Sequence, residues 1–258
     1  MNAFAKLNLN ADLGEGFGAW RMGDDEGLLS VVQSASLACG FHAGDPVVMR
    51  KTVAAALAAG VSIGAHPSYP DLQGFGRRSL KCSAEEVEAL LIYQIGALDG
   101  FARAQGARVS HVKPHGALSN DACRDRALAD AIARAIRSYD RNLILLAPAL
   151  SHLAQAGMAE GLKVASEIFA DRTYEDDASL TPRQREGAVL HETEKCLEHV
   201  AVMLKAGGVV TRGGQILPSP IHSICVHGDS PGAVATATAL RKRIETQFTL
   251  CALPVLIA

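Results

Sequence analysis

Short apolar runs alternate with stretches of helical periodicity from one end of the chain to the other. Residues 6–10 form the first strand-like run, 31–39 contain a second, and runs at 61–65, 109–112, 142–147, 163–169 and 223–226 follow. Between them the apolar spacing changes to three and four residues. Asp45-Pro46 reads as an N-cap followed by a first-turn proline, with Met49, Val53, Ala56 and Leu57 as one face and Gly60 as the stop. Ser83 and Glu86 have the spacing of a capping box ahead of Val87, Leu91, Leu98 and Phe101. Further helices are predicted over 126–139, up to about 161, over 192–206, and through Val234, Ala237, Leu240 and Ile244, with Asp229 or Ser230 as the last cap. A small hairpin is predicted over 209–217 around Gly213-Gly214.

Regular alternation of strand and helix implies a parallel sheet wrapped by helices. Seven strands favour a closed or nearly closed barrel over an open doubly wound sheet, an α/β fold. No linker, charge block or low-complexity stretch divides the chain, so one domain over 1–258 is expected.

Composition narrows the function classes. The chain has 258 residues, 48% of them hydrophobic, and a formal net charge of −2, so it can bury a full core and carries no basic excess for nucleic acid or an anionic membrane. No apolar run reaches the roughly 18 residues of a membrane span. Lys6 interrupts the first apolar stretch, so a signal peptide is not expected and a cytoplasmic location is. The six cysteines form no C-x-x-C pair, which fits a reducing compartment and predicts no disulfides.

Four of the apolar runs end in histidine beside glycine, aspartate or proline: Gly40-Phe41-His42-Ala43-Gly44-Asp45, Gly64-Ala65-His66-Pro67, His111-Val112-Lys113-Pro114-His115-Gly116 and Val226-His227-Gly228-Asp229. In a parallel sheet such endings gather at one rim, where α/β enzymes keep their chemistry. The first strand ends in Asn10-Ala11-Asp12-Leu13-Gly14-Glu15-Gly16, two carboxylates among glycines, suited to metal binding or acid–base work. Asp12, His42 and His66 end successive strands and are a candidate open metal site or a metal-free acid–base cluster. Arg77 and Arg78 follow a Gly-punctuated loop and are candidates to clamp a carboxylate or phosphate. Lys113 at a strand end is placed to bind an anion, with His115 beside it. Glu167, Asp171 and Arg172 cluster where the sixth strand exits, ahead of Tyr174-Glu175-Asp176-Asp177, a solvated loop or lid. His111 reads as a core or surface residue, and His152, His191, His199 and His222 as ordinary surface residues. No dinucleotide fingerprint, Walker loop or nucleophile elbow is present.

Taken together, these segments resemble the LamB/YcsF family, the A subunit of bacterial ATP-dependent 5-oxoprolinase. The match runs in order through Leu9-Asn10-Ala11-Asp12-Leu13-Gly14-Glu15-Gly16, Ala38-Cys39-Gly40-Phe41-His42-Ala43-Gly44-Asp45-Pro46 and Gly64-Ala65-His66-Pro67-Ser68-Tyr69-Pro70-Asp71. It continues through Gly74-Phe75-Gly76-Arg77-Arg78, His111 to Leu118, Glu167 to Arg172 and Val226-His227-Gly228-Asp229. The chain departs from the family at Ser36, Ser119 and Ala178, where the family usually has Asn, Tyr and Gly. The resemblance implies a single-domain seven-stranded (β/α) barrel, distantly like metal-dependent polysaccharide deacetylases. It implies cleavage of 5-oxo-L-proline to L-glutamate with hydrolysis of ATP, shared with subunits B and C, the nucleotide being bound by or with those partners. Expected catalytic groups are Asp12, Glu15, His66, Lys113, His115 and His227. Expected substrate contacts are His42, Asp45, Arg77, Arg78, Glu167, Asp171, Arg172 and Asp229. A divalent metal, if bound, is expected on Asp12, His42 and His66. Two alternatives stand beside this: a stand-alone metal-dependent amide or sugar deacetylase-like hydrolase, and a non-catalytic lactam-binding subunit.

Overall fold

The computed structural model describes residues 5–229 and 232–258. In chain order the elements are β1 (Ala5–Leu13), α1 (Asp25–Leu29), β2 (Ser34–Ala38), α2 (Pro46–Ala58), β3 (Ser62–His66), α3 (Ala84–Ala104), β4 (His111–Val112), α4 (Gly116–Ala122), α5 (Arg126–Tyr139) and β5 (Ile144–Pro148). They continue with α6 (His152–Ala159), β6 (Lys163–Phe169), α7 (Thr193–Ala206), β7 (Gly208–Val210), β8 (Ile216–Pro218), β9 (Ser223–His227), α8 (Ala233–Ile244), β10 (Phe248–Leu250) and α9 (Leu253–Leu256). Strands β1 to β6 and β9 pair in parallel, and β1 pairs with β9 to close a seven-stranded barrel. β10 adds in parallel to the start of β1, and β7–β8 is a separate antiparallel hairpin.

The helix signals act as read. Asp45 accepts from the N–H groups of Val47 and Val48 at the start of α2, and Ser83 with Glu86 forms both halves of a capping box on α3. The last helix, α8, is preceded by Gly232 rather than capped by Asp229, which pairs with Arg77 instead, and the other expected cap, Ser230, lies outside the described residues.

The barrel reverses the usual distribution of polarity. Along β1, Leu7, Leu9, Ala11 and Leu13 join the apolar core shared with the helices. Asn8, Asn10 and Asp12 alternate with them and point across the barrel, as the period of two requires. Asn10 Nδ2 donates to Glu167 Oε2 on β6 at 2.9 Å and to Ser223 Oγ on β9 at 2.8 Å, while Asn8 Nδ2 donates to Ser34 Oγ at 2.9 Å. Polar groups at these depths are tolerable because they satisfy one another. His111 belongs to this interior. Burial pushes its imidazole down to about 3, and it fits only because Gly64 on β3 lacks a side chain: a Cβ there would collide with the His111 ring.

Several boundaries differ from the apolar pattern. β1 runs on to Leu13 because Ala11 and Asp12 still pair with both β2 and β9. β4 is only two residues long, since the Val109 N–H is taken by the Asp99 carboxylate rather than a strand. The short helices α1, α4 and α9 and the edge strand β10 lie outside the predicted elements. α4 is hard to read because its seven residues include Gly116, Ser119, Asn120 and Asp121, all poor helix formers.

Candidate active site

The carboxyl ends of the strands open into a cavity of about 610 Å³. Asp12, His66, Arg77, Lys113, His115, Arg172 and His227 all line it. Glu15, His42, Glu167, Asp171 and Asp229 stand one layer behind, each touching a lining residue. Two expected contacts lie elsewhere. Both Asp45 oxygens are occupied by backbone N–H groups, those of α2 and of Gly18. Arg78 is turned outward, its side chain 63% exposed and ion-paired with Asp71.

Lys113 is the buried hub. Its ammonium lies 2.9 Å from Asp12 Oδ1, 3.0 Å from Glu167 Oε2, 2.9 Å from Cys225 Sγ and 3.3 Å from Asn10 Oδ1. Three N–H donors face four acceptors, so none is left over for a ligand. Burial alone would lower the Lys113 pKa, but Asp12, Cys225 and Glu167 overturn that and hold it well above the ordinary lysine value. Burial alone would raise Asp12, but the charges of His66 and Lys113 hold its carboxyl well below the usual carboxylate range.

Beside this hub three imidazoles and one carboxylate crowd together. His66 Nδ1–H donates to the Lys113 carbonyl at 2.6 Å, which directs His66 Nε2 toward Asp12 Oδ2 at 3.3 Å and His115 Nδ1 at 2.9 Å. His115 Nε2–H donates to the Phe75 carbonyl at 2.9 Å. The His42 ring stacks on His115 with centroids 3.8 Å apart, and its Nε2 lies 3.1 Å from Glu15 Oε1. Burial lowers His42 and His115 well below the ordinary imidazole value, with neighbouring imidazoles adding to it. Burial, with Asp12 and Asp229 nearby, raises Glu15 well above the carboxylate range. The loop carrying Phe75 passes this close because Gly76, at φ +64°, has no Cβ to strike Ser68 Oγ and the His115 ring.

On the opposite wall His227 Nδ1 is held by Asp171 at 2.8 Å, and its ring stacks on Phe169. Burial alone would raise Asp171, but the charge and hydrogen bond of His227 keep it low. Arg77 pairs with Asp229 at 2.5 Å. Arg172 is committed to the backbone carbonyls of Thr181 and Ala188, and burial beside Arg183 lowers it to about 10.

Sequence reasoning reached Asp177 and Ala178 but missed the segment 179–184, which continues the same wall and contributes Arg183. Arg183 makes no ion pair with any described residue, and burial with Arg77 nearby lowers its pKa. No motif signalled it; the only cue was its place after the sixth strand. Tyr174, read as part of a solvated loop, is buried, its hydroxyl accepting from the Phe169 N–H. Nor are three of the four set-aside histidines simple surface residues. His152 lines the cavity, His199 Nε2–H donates to the Arg172 carbonyl, and His222 Nδ1 accepts from Ser166 N–H.

A closed parallel barrel whose strand ends bring buried carboxylates, imidazoles, a lysine and arginines to one cavity defines an α/β-barrel protein of the (β/α) class. Residues 7–254 match the LamB/YcsF family, and the chain belongs to it. It is 59% identical over 250 residues to the 5-oxoprolinase A subunit of Azoarcus sp. (strain BH72), covering 96% of this chain and 98% of that one. The lactam utilization protein of Thermus thermophilus superposes with a TM-score of 0.88 at 40% identity, covering 96% of this chain and 98% of the other. The Bc1960 peptidoglycan N-acetylglucosamine deacetylase shares the fold alone, with a TM-score of 0.52 at 14% identity over 99% of this chain and 89% of the other.

Proposed function

We propose that this chain is the lactam-opening subunit of an ATP-dependent 5-oxoprolinase that works with subunits B and C on 5-oxo-L-proline, yielding L-glutamate, ADP and phosphate. The observation that carries the reading is near-full-length similarity to a 5-oxoprolinase A subunit, at 59% identity, and the site chemistry supports it. The cavity is lined by Arg77, Lys113, Arg124, Arg172 and Arg183 against the carboxylates of Asp12 and Asp177. That excess of positive charge suits a carboxylate substrate, and more so one activated by phosphorylation of its amide oxygen. The family of the chain and the lack of a nucleotide loop in its sequence favour phosphorylation by the partner subunits.

In this reading Arg77 and Arg183 hold the anionic groups. Water adds to the amide carbon as its proton passes to the Asp12 carboxylate, which the neighbouring His66 ring, 3.3 Å from Oδ2, orients. The ring C–N bond then breaks, and the nitrogen takes a proton from His227, whose Nδ1 is fixed by Asp171 so that Nε2 is presented to the cavity; this leaves a γ-glutamyl phosphate, which a second water hydrolyses to L-glutamate and phosphate. Lys113 keeps Asp12 ionised, and Glu167 in turn holds the Lys113 ammonium in place. His115, with both nitrogens engaged, orients His66. Bound among these imidazoles, a divalent cation would supply Lewis acidity toward the lactam carbonyl.

The imidazole cluster is also what a stand-alone metal-dependent amidase would need, which makes ATP dependence the deciding property. Glutamate release from 5-oxoproline is to be measured with the chain alone and with its partner subunits, each with and without ATP. Release only with partners and ATP is expected. Release by the chain alone without ATP, abolished by chelator, would replace this reading with the amidase.

A further inference from the structure

The described residues contain two groups of side chains able to converge on one ion: Glu15, His42, His66 and His115, and Asp12, Cys225 and His227. The second is already served by a cation, because the Lys113 ammonium sits 2.9 Å from both Asp12 Oδ1 and Cys225 Sγ. The first has no such occupant, and its hydrogen bonds do not close.

His66 Nδ1 faces a carbonyl and must carry hydrogen, as must His115 Nε2. In neutral rings the remaining nitrogens, His66 Nε2 and His115 Nδ1, then meet lone pair to lone pair at 2.9 Å. Glu15 Oε1, 3.6 Å from His115 Nδ1 and 3.1 Å from His42 Nε2, adds a further acceptor to the same spot. Acceptors turned inward on one another, with His66 and His115 each locked from behind by a backbone carbonyl, are the usual outer shell of a metal site.

We infer that Glu15, His42, His66 and His115 form a binding site for one divalent first-row transition cation, and that Asp12 is not among its ligands. The four ligating atoms lie within 4.8 Å of one another. Ligands about 2.0–2.1 Å from a common zinc lie no more than ~4.2 Å apart, so small side-chain rotations complete the site. Three imidazoles and one carboxylate select zinc, cobalt, nickel, iron or manganese over magnesium, which demands oxygen ligands. The cation is therefore distinct from the magnesium that accompanies ATP. The inference deepens the lactam reading by naming this site's ion, but it stands on the isolated chain and its test needs no turnover.

The chain, stripped with chelator, is titrated with Zn²⁺ and with Mg²⁺ by calorimetry and with Co²⁺ by visible absorption. One equivalent of Zn²⁺, a Co²⁺ d–d spectrum and no Mg²⁺ binding are expected. Glu15→Gln and His42→Ala should each weaken Zn²⁺ binding by ~100-fold or more, whereas Asp12→Asn should change it by no more than about threefold, with folding of each checked by circular dichroism. The proposal is overturned if the wild-type chain binds less than about a tenth of an equivalent, in which case a shared proton bridges His66 and His115. Equal Mg²⁺ binding, or loss of the ion in Asp12→Asn but not in a folded His42→Ala, would overturn it equally.

Discussion

Replacing Lys113 with methionine isolates the charge of the buried hub, because methionine retains most of the aliphatic stem. The substitution leaves Asp12 and Glu167 facing the lost ammonium, and their side chains are 5% and 0% exposed. Removing one partner of a buried pair costs about 3–5 kcal/mol, since a buried charge is left uncompensated. Two carboxylates are stranded here, but His66 still lies 3.3 Å from Asp12 and offsets part of the loss. At roughly 2–4 °C per kcal/mol for a chain of this size, Tm should fall by about 6–20 °C at pH 7. In the wild type, Asp12 has a depressed folded pKa, so its contribution is present above the unfolded value of about 3.9 and is lost as pH falls through the folded one. Lys113 is raised, so its contribution is full below about 10.4 and is lost as pH rises through the folded value. In the methionine variant Asp12 loses the Lys113 charge that helps to hold its pKa down, so its folded value rises. The penalty of a stranded buried carboxylate shrinks as it is protonated and grows as pH climbs past about 4. Urea unfolding at pH 4 and pH 7 reads this difference directly. A variant within about 1 kcal/mol of wild type at pH 7, or equally destabilised at both pH values, would refute the argument, the latter pointing to packing rather than charge.

Three further outcomes follow from the same geometry. Arg183→Ala should reduce kcat/KM by ~10–150-fold, mainly through KM, since one charge-assisted contact of about 1.5–3 kcal/mol is lost, while Arg78→Ala should leave kinetics within about twofold. His227→Gln should lower kcat by ~100-fold or more with KM little changed, as measured by steady-state kinetics of the assembled complex. Ala178 sits at φ +66° on the cavity wall, so Ala178→Gly should stabilise the chain by roughly 1 kcal/mol, read as a Tm rise of ~2–4 °C.

The barrel was legible because its signals are local. A strand's apolar run, the Asp45 cap and the Ser83–Glu86 box each lie within a few residues of what they determine. Strand endings likewise placed Asp12, His66, Lys113, His115 and His227 on one rim without any knowledge of register. What sequence did not carry was depth and direction. Asp45 and Arg78 sit in the same motifs as cavity residues, yet one is consumed by a helix end and the other pairs with Asp71. Arg183 reaches the cavity only because Arg172 ties 181 and 188 back to the barrel through their carbonyls, a tertiary contact invisible along the chain. At Ala178, where the resemblance led to an expectation of glycine, the backbone takes the left-handed form that glycine adopts without strain. Ser36 is buried with its hydroxyl unpartnered among the described residues, and Ser119 lines the cavity.

The central claim is that an ionised Asp12, oriented by His66, activates the water that opens the lactam. It is tested most directly by ATP-dependent glutamate release from 5-oxoproline in the assembled complex, comparing wild type with His66→Gln and Asp12→Asn. A loss of ~100-fold or more in kcat for both, with assembly and KM retained, is the predicted result. Turnover within a few-fold of wild type in either variant would contradict it.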